Sequence, residues 1–223
     1  TRFCKKLGFR SFLEFKMTMA QEYHSDTMDE QLLEGDGLPE GDSLQSSVKH
    51  YHDHVIALLR NSLKKNTFEQ IERATKLLLE SGAVCVWGQG RDCGLAEDVY
   101  YKLLEYGKKC DYPRSCHELK LRLGTYTTDD VILVVDGEGN DDTLNEILRQ
   151  AGENGVKVLA VTENRMSKLA ILGDEAICYS HGAVQKSEYS YSTTIAQHYM
   201  LDLLIQQMIK EQYGSEDTDI SLS

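Results

Sequence analysis

From Ala83 onward, short unbroken apolar runs recur, each followed by a loop and then by a segment of helical periodicity. The runs are Ala83-Trp87, Val131-Val135, Val158-Val161 and Ala176-Tyr179, with a weaker one near Cys110-Tyr112. A strand that is apolar at every position has no face to show to water, so it must be covered on both sides. The intervening segments, roughly Leu95-Glu105, Arg114-Leu123, Thr143-Glu153 and Ser167-Leu172, supply the cover. Strands alternating with helices in this way predict an α/β fold: a three-layer αβα sandwich around a five-stranded parallel sheet.

Helices precede the sandwich. Periodicity begins near Val48, with Val55, Leu58, Leu59 and Leu63 on one face. Thr67 followed by Gln70 is a capping box, which opens a second helix with Ile71, Ala74, Leu77 and Leu78 turned inward. A last helix, about Tyr191-Gln212, is apolar over much of its circumference, so it is either central to the core or paired with a second subunit. No apolar run exceeds five residues, far short of the roughly 20 a membrane span needs.

Charge divides the chain. Of 24 Lys+Arg and 36 Asp+Glu, five bases and two acids lie in residues 1–24, a net of +3 on a chain of net −12. A basic end on an acidic body is the asymmetry expected when that end alone meets nucleic acid. Residues 22–47 hold eight acids and no Lys or Arg, interspersed with glycine and serine, and read as a linker. The expected organisation is a head remnant at 1–21, an acidic linker at 22–47, one folded domain at 48–213 and a polar tail at 214–223. Cys4, Cys85, Cys93, Cys110, Cys116 and Cys178 include no CxxC pair, and several sit in apolar segments. Reduced thiols in a cytoplasmic protein are the expectation.

In an open parallel sheet, ligands sit beyond the carboxyl ends of the strands. Two loops there are glycine-rich: Gly88-Gln89-Gly90-Arg91-Asp92 after the first strand, and Asp136-Gly137-Glu138-Gly139-Asn140-Asp141 after the third. Each runs directly into a helix, whose free N–H groups favour an anion. A tight turn with no ligand would use the same residues.

The order of segments adds a resemblance. Gly88-x-Gly90, then Ala96, Asp98 and Lys102-Leu103, then Asp130, Gly139, Ala151, Gly155 and Thr162, then Ser167-x-Leu169-Ala170 and Asp174 resemble the sugar isomerase (SIS) domain over residues 83–205. Residues 1–20, with Arg2-Phe3-Cys4-Lys5-Lys6 and Phe12-x-x-Phe15-Lys16, look like the end of the helix-turn-helix head of RpiR-type transcription regulators. The resemblance implies further head helices ahead of Thr1. It makes Arg2, Lys5, Lys6 and Arg10 the DNA-contacting candidates, and it implies a homodimer.

It also implies a phosphosugar cradle built on hydroxyls, and there this chain departs. Aligned on Gly90 and Gly139, the four hydroxyl positions carry Asp92, Asp136, Glu138 and Asp141. A carboxylate only accepts hydrogen bonds and repels a phosphate dianion. Arg91 is the adjacent cation, with Arg165, Lys168 and Arg114 as others that could reach in. Such a pocket would be solvated and serve dimerisation only, or be retuned to a cationic, amino-bearing or neutral polyol ligand, or hold a divalent cation. The ligand-binding candidates are Gly88, Gly90, Arg91, Asp92, Asp136, Gly137, Glu138, Gly139, Asn140, Asp141 and Glu188. His50, His52 and His54 read as a solvated helix start, and Cys93 as a packing thiol.

The expected function is a DNA-binding regulator of carbohydrate metabolism, this chain being mainly its effector and dimerisation domain, with no catalytic residue, cofactor or metal. The alternatives are a sugar-phosphate isomerase, with Glu188 as its acid/base, and a SIS domain that only dimerises.

Overall fold

A computed structural model describes residues 43–181 and 191–214. The predicted head, most of the linker, Glu188 and most of the tail lie outside them. Seven helices and five strands follow in order: α1 (Leu44–Lys64), α2 (Phe68–Glu80), β1 (Val84–Gly88), α3 (Cys93–Glu105), β2 (Cys110–Asp111), α4 (Cys116–Arg122), β3 (Val131–Val135), α5 (Asp142–Glu153), β4 (Lys157–Thr162), α6 (Lys168–Leu172), β5 (Glu175–Cys178) and α7 (Tyr191–Tyr213). All strand pairs are parallel, in the order β2-β1-β3-β4-β5. The predicted three-layer αβα sandwich is what forms.

Each strand feeds two cores, because successive side chains point to opposite faces. Val84, Val86, Val131, Leu133 and Val135 meet α1, α2, α3 and α7 on one side. Cys85, Trp87, Ile132 and Val134 meet α4, α5 and α6 on the other. Helix starts are fixed by short polar caps: Ser43, Thr67, Ser115, Asp141 and Ser167 each accept from a backbone N–H three residues on. The Thr67–Gln70 capping box is complete in both directions. No described helix is long and apolar enough to cross a membrane.

Two expectations need correction. The first helix opens at Leu44 inside the predicted linker, because Ser43 caps it. Its buried side is also rotated: His54, Ala57, Leu58 and Ser62 turn inward, while Val55, Leu59 and Leu63 are half-buried. The cause is β5, whose outward backbone groups are bonded by polar side chains. Asn66 Nδ2 donates to Cys178 O (2.6 Å) and Cys178 N donates to Asn66 Oδ1 (2.8 Å). Ser180 N donates to Ser62 Oγ (2.9 Å), and Arg165 Nη1 to Ala176 O (3.2 Å). Bringing Ser62 and Asn66 to β5 turns the aliphatic stripe aside. Helix α7 resolves the other way: Ala196, Met200, Leu201, Leu204, Ile205 and Met208 are buried in the core. Ile195, Tyr199 and Leu203 stay partly exposed.

Candidate functional site

From β1 the chain goes to β2 on one side and then returns across β1 to β3 on the other. The carboxyl ends of β1 and β3 therefore sit side by side while α3 and α5 diverge, leaving a crevice where the strand order switches. Both glycine-rich loops open into it.

The first loop is shaped by Gly88. A Cβ there would lie 2.6 Å from Asp92 O and 2.7 Å from Ala96 Cβ, so only glycine lets α3 start this close over the strand. Gly90 turns the chain with φ +61, and Arg91 and Asp92 follow in a single 3-10 turn. Asp92 is 7% exposed, and its Oδ2 accepts from Gly137 N (3.2 Å), which stitches the first loop to the second. Burial pushes its carboxyl above the usual range; the Gly137 N–H, the Gln197 side chain and the Arg91 guanidinium only partly offset this.

In the second loop, Asp136 Oδ1 accepts from Gly139 N (3.1 Å), and burial raises its pKa as well. The four predicted acids stand in different settings. Asp141 caps α5, accepting from Leu144 N (2.8 Å), while Glu138 and Asn140 are exposed. Gly139 has φ +64 and packs where a Cβ would meet Ser167 Oγ at 2.6 Å, so it anchors the loop to the start of α6.

A third acid comes from elsewhere. Glu163, directly after β4, lies 3.5 Å from Arg91 Nη2 and 3.9 Å from His181 Nδ1, and burial raises its pKa. Beside it stands Tyr179, after β5, fully buried and with no hydrogen-bond partner for its hydroxyl. A Cβ on Gly137 would be 3.0 Å from that hydroxyl and 3.1 Å from Glu163 Oε1, so both groups look onto the second loop. Gln197 of α7 is also buried, with its side chain towards Asp92. Sequence reasoning missed Glu163, Tyr179 and Gln197. The available signal was position, since Glu163 and Tyr179 close neighbouring strands at the same edge of the sheet.

Of the cations proposed to reach in, Arg91 does. Arg165 is bonded to Lys65 O, Asn66 Oδ1 and Ala176 O, and Lys168 pairs with Asp142 (2.6 Å). Arg114 pairs with Glu97 and lies 4.4 Å over the Tyr112 ring. Cys93 donates to Gly88 O (3.2 Å) as a packing thiol. Asp98, His198 and Asp202 are close enough to share a metal, but the Lys102 ammonium stands among them, 2.6 Å from each carboxylate.

Asp92, Asp136 and Glu163 all have folded-state pKa values above their unfolded ones. Between those values the native state holds more protons, so their contribution to stability is full below the ordinary carboxylate range and is lost as pH rises through the raised values. Melting temperature should therefore climb as pH falls towards the ordinary carboxylate range. Asp92→Asn keeps an acceptor for Gly137 N; it should raise the melting point at pH 7.5 by roughly 2–4 °C and flatten the slope. A D92N slope equal to that of the unmodified protein would show that Asp92 is not the source.

The SIS domain family model matches residues 77–207. An uncharacterized HTH-type transcriptional regulator of Clostridium perfringens is 27% identical over 214 residues, 96% of this chain and 76% of that protein. The HTH-type transcriptional regulator RpiR of Escherichia coli K12 is 24% identical over 174 residues, 78% of this chain and 57% of that protein. Among solved structures, the Vibrio vulnificus NanR protein complexed with ManNAc-6P superposes with a TM-score of 0.67 at 16% identity, covering 95% of this chain and 73% of that one. A putative sugar-phosphate isomerase and a phosphoheptose isomerase share the fold as well. With more than half its length matched, the chain belongs to the SIS-domain family, and most of the curated proteins it resembles are HTH-type transcriptional regulators, RpiR included.

Proposed function

We propose that the chain is the effector-sensing and dimerising part of a cytoplasmic regulator of carbohydrate metabolism. A sugar-derived molecule in the β1/β3 crevice alters the binding of DNA by the basic amino-terminal segment, and no turnover is involved. One observation carries this reading. The Clostridium perfringens regulator aligns over 96% of the chain, well beyond the domain at 77–207. The isomerases that share the fold cover 75–78% of the chain.

Homodimerisation fits the apolar surface that the monomer leaves part-exposed. Leu59 and Leu63 of α1, Phe68 of α2, and Ile195, Tyr199 and Leu203 of α7 share the outer side of the helical layer. Burying such a patch against its own copy gives a closed two-fold pair. Light scattering at micromolar concentration should return twice the 25.2 kDa chain mass, and Leu203→Glu should shift it towards the monomer. The regulator reading is tested by gel shift on genomic fragments, using the protein with a complete helix-turn-helix head. Lys5→Ala with Lys6→Ala should weaken binding and lower the salt slope by roughly 2, one for each lost phosphate contact. Unchanged retention and slope would remove the basic segment from the DNA interface.

A further inference from the structure

The crevice turns its own acids onto the groups that would hold an anion. At a strand-to-helix junction, a phosphate is gripped by free backbone N–H groups of the loop and the first helical turn. Here Gly137 N donates to Asp92 Oδ2, Gly139 N to Asp136 Oδ1, and Leu144 N to Asp141 Oδ1. In the first loop, Asp92 N is taken by Gln89 O. The chain's own carboxylates thus occupy the second loop's cradle from within. A phosphate dianion would have to displace them while facing Asp92, Asp136 and Glu163, with Arg91 as the close counter-charge.

A further group is left without a partner. Tyr179 OH is buried and unpartnered, at 0% exposure. It lies beside Gly137 and Glu163. Leaving such a group unpaired is costly, and a ligand hydroxyl would complete it. The Glu163 carboxylate meets its cations only loosely, at 3.5 Å from Arg91 and 3.9 Å from His181, and Arg91 Nε stands 3.9 Å from Asp92 Oδ1. Unmet negative charge beside an unmet hydroxyl describes one ligand chemistry: a polyol carrying a protonated amine.

We propose that the crevice binds an unphosphorylated sugar with a free amino group and rejects sugar phosphates, with Glu163 and Asp92 receiving the ammonium and Tyr179 a hydroxyl. This rests on the reading of the crevice as the effector site. A charged ammonium between two poorly solvated carboxylates supplies the charge-assisted bonds that Arg91 does not complete. A neutral polyol would satisfy Tyr179 but leave the acids as they are, and an N-acetyl group would remove the charge.

The test is calorimetric titration at pH 7.5 with glucosamine, galactosamine and mannosamine, each beside its N-acetyl form, its 6-phosphate and the parent hexose. At least one free amino sugar should bind, about tenfold or more tighter than each of its three counterparts. Tyr179→Phe loses only an unpartnered hydroxyl, so it should fold with an unchanged or higher melting point and still bind about tenfold more weakly. A merely structural tyrosine would not separate those two readouts. Glu163→Gln should erase the preference for amine over hexose, and Asp92→Ser with Asp136→Ser should let the 6-phosphates in. Tighter binding of a 6-phosphate by the unmodified protein would overturn the ligand class and leave the effector-site reading standing. If no sugar of either kind bound, both readings would fall.

Discussion

Gly88→Ala is expected to leave little folded protein at 37 °C. The added methyl would sit 2.6 Å from the Asp92 carbonyl oxygen, 3.0 Å from its carbon and 2.7 Å from Ala96 Cβ. None of these is the end of a flexible side chain, so relief requires moving the start of α3 off β1. Overpacking of this kind costs typically 1–3 kcal/mol where side chains can shift, and more than about 4 kcal/mol is expected where backbone must. The opened junction would also break the Asp92–Gly137 bond between the loops. Gly94, one turn further on, is the control. A Cβ there meets nothing within 4 Å, so Gly94→Ala in the first turn of α3 should be neutral or gain roughly a few tenths of a kcal/mol through helix propensity. Thermal melts that ranked the two substitutions equally would refute the close-approach account of Gly88.

Asn66→Ala should cost on the order of 3 kcal/mol, because it strips partners from several buried groups at once. The Asn66 amide donates to Ser62 O (2.9 Å) and Cys178 O, and its oxygen accepts from Cys178 N and Arg165 Nη2 (3.0 Å). Alanine would leave the Cys178 N–H and C=O unpaired where water has little access. For a domain of this size the loss corresponds to roughly 6–12 °C in melting temperature. Amide exchange at Cys178 should accelerate selectively. A loss below about 1 kcal/mol would mean that water replaces the amide at little cost.

These two residues mark where the sequence was legible and where it was not. The strands β1, β3 and β4 could be read because an apolar run with no polar break has one physical solution, burial on both faces. Gly88 stood out as part of a glycine-rich loop that could approach a ligand, whereas what it approaches is the start of α3. Asn66 gave no such signal, since an asparagine just past a helix end reads as a cap or a turn. Its pairing with β5, 112 residues away, depends on tertiary placement. That same pairing rotated α1 and misled the apolar-face reading of Val55, Leu59 and Leu63. In the site, Asp92 and Asp141 looked alike as acids at helix starts. One is sunk between the loops and the other is a cap, and burial alone separates them. Glu163 and Tyr179 follow strands without glycine-rich loops, so nothing local announced them.

The clasp on β5 has a consequence for how copies of this molecule can associate. A border strand with free amides and carbonyls is a template on which another chain can add. Along β5 most of those positions are taken: the Ala176 carbonyl by Arg165, both Cys178 groups by Asn66 and the Ser180 N–H by Ser62. The opposite border, β2, is two residues long and too short to recruit a partner. With β5 largely clasped and β2 short, the sheet borders among the described residues offer little to ribbon-to-ribbon growth into fibres.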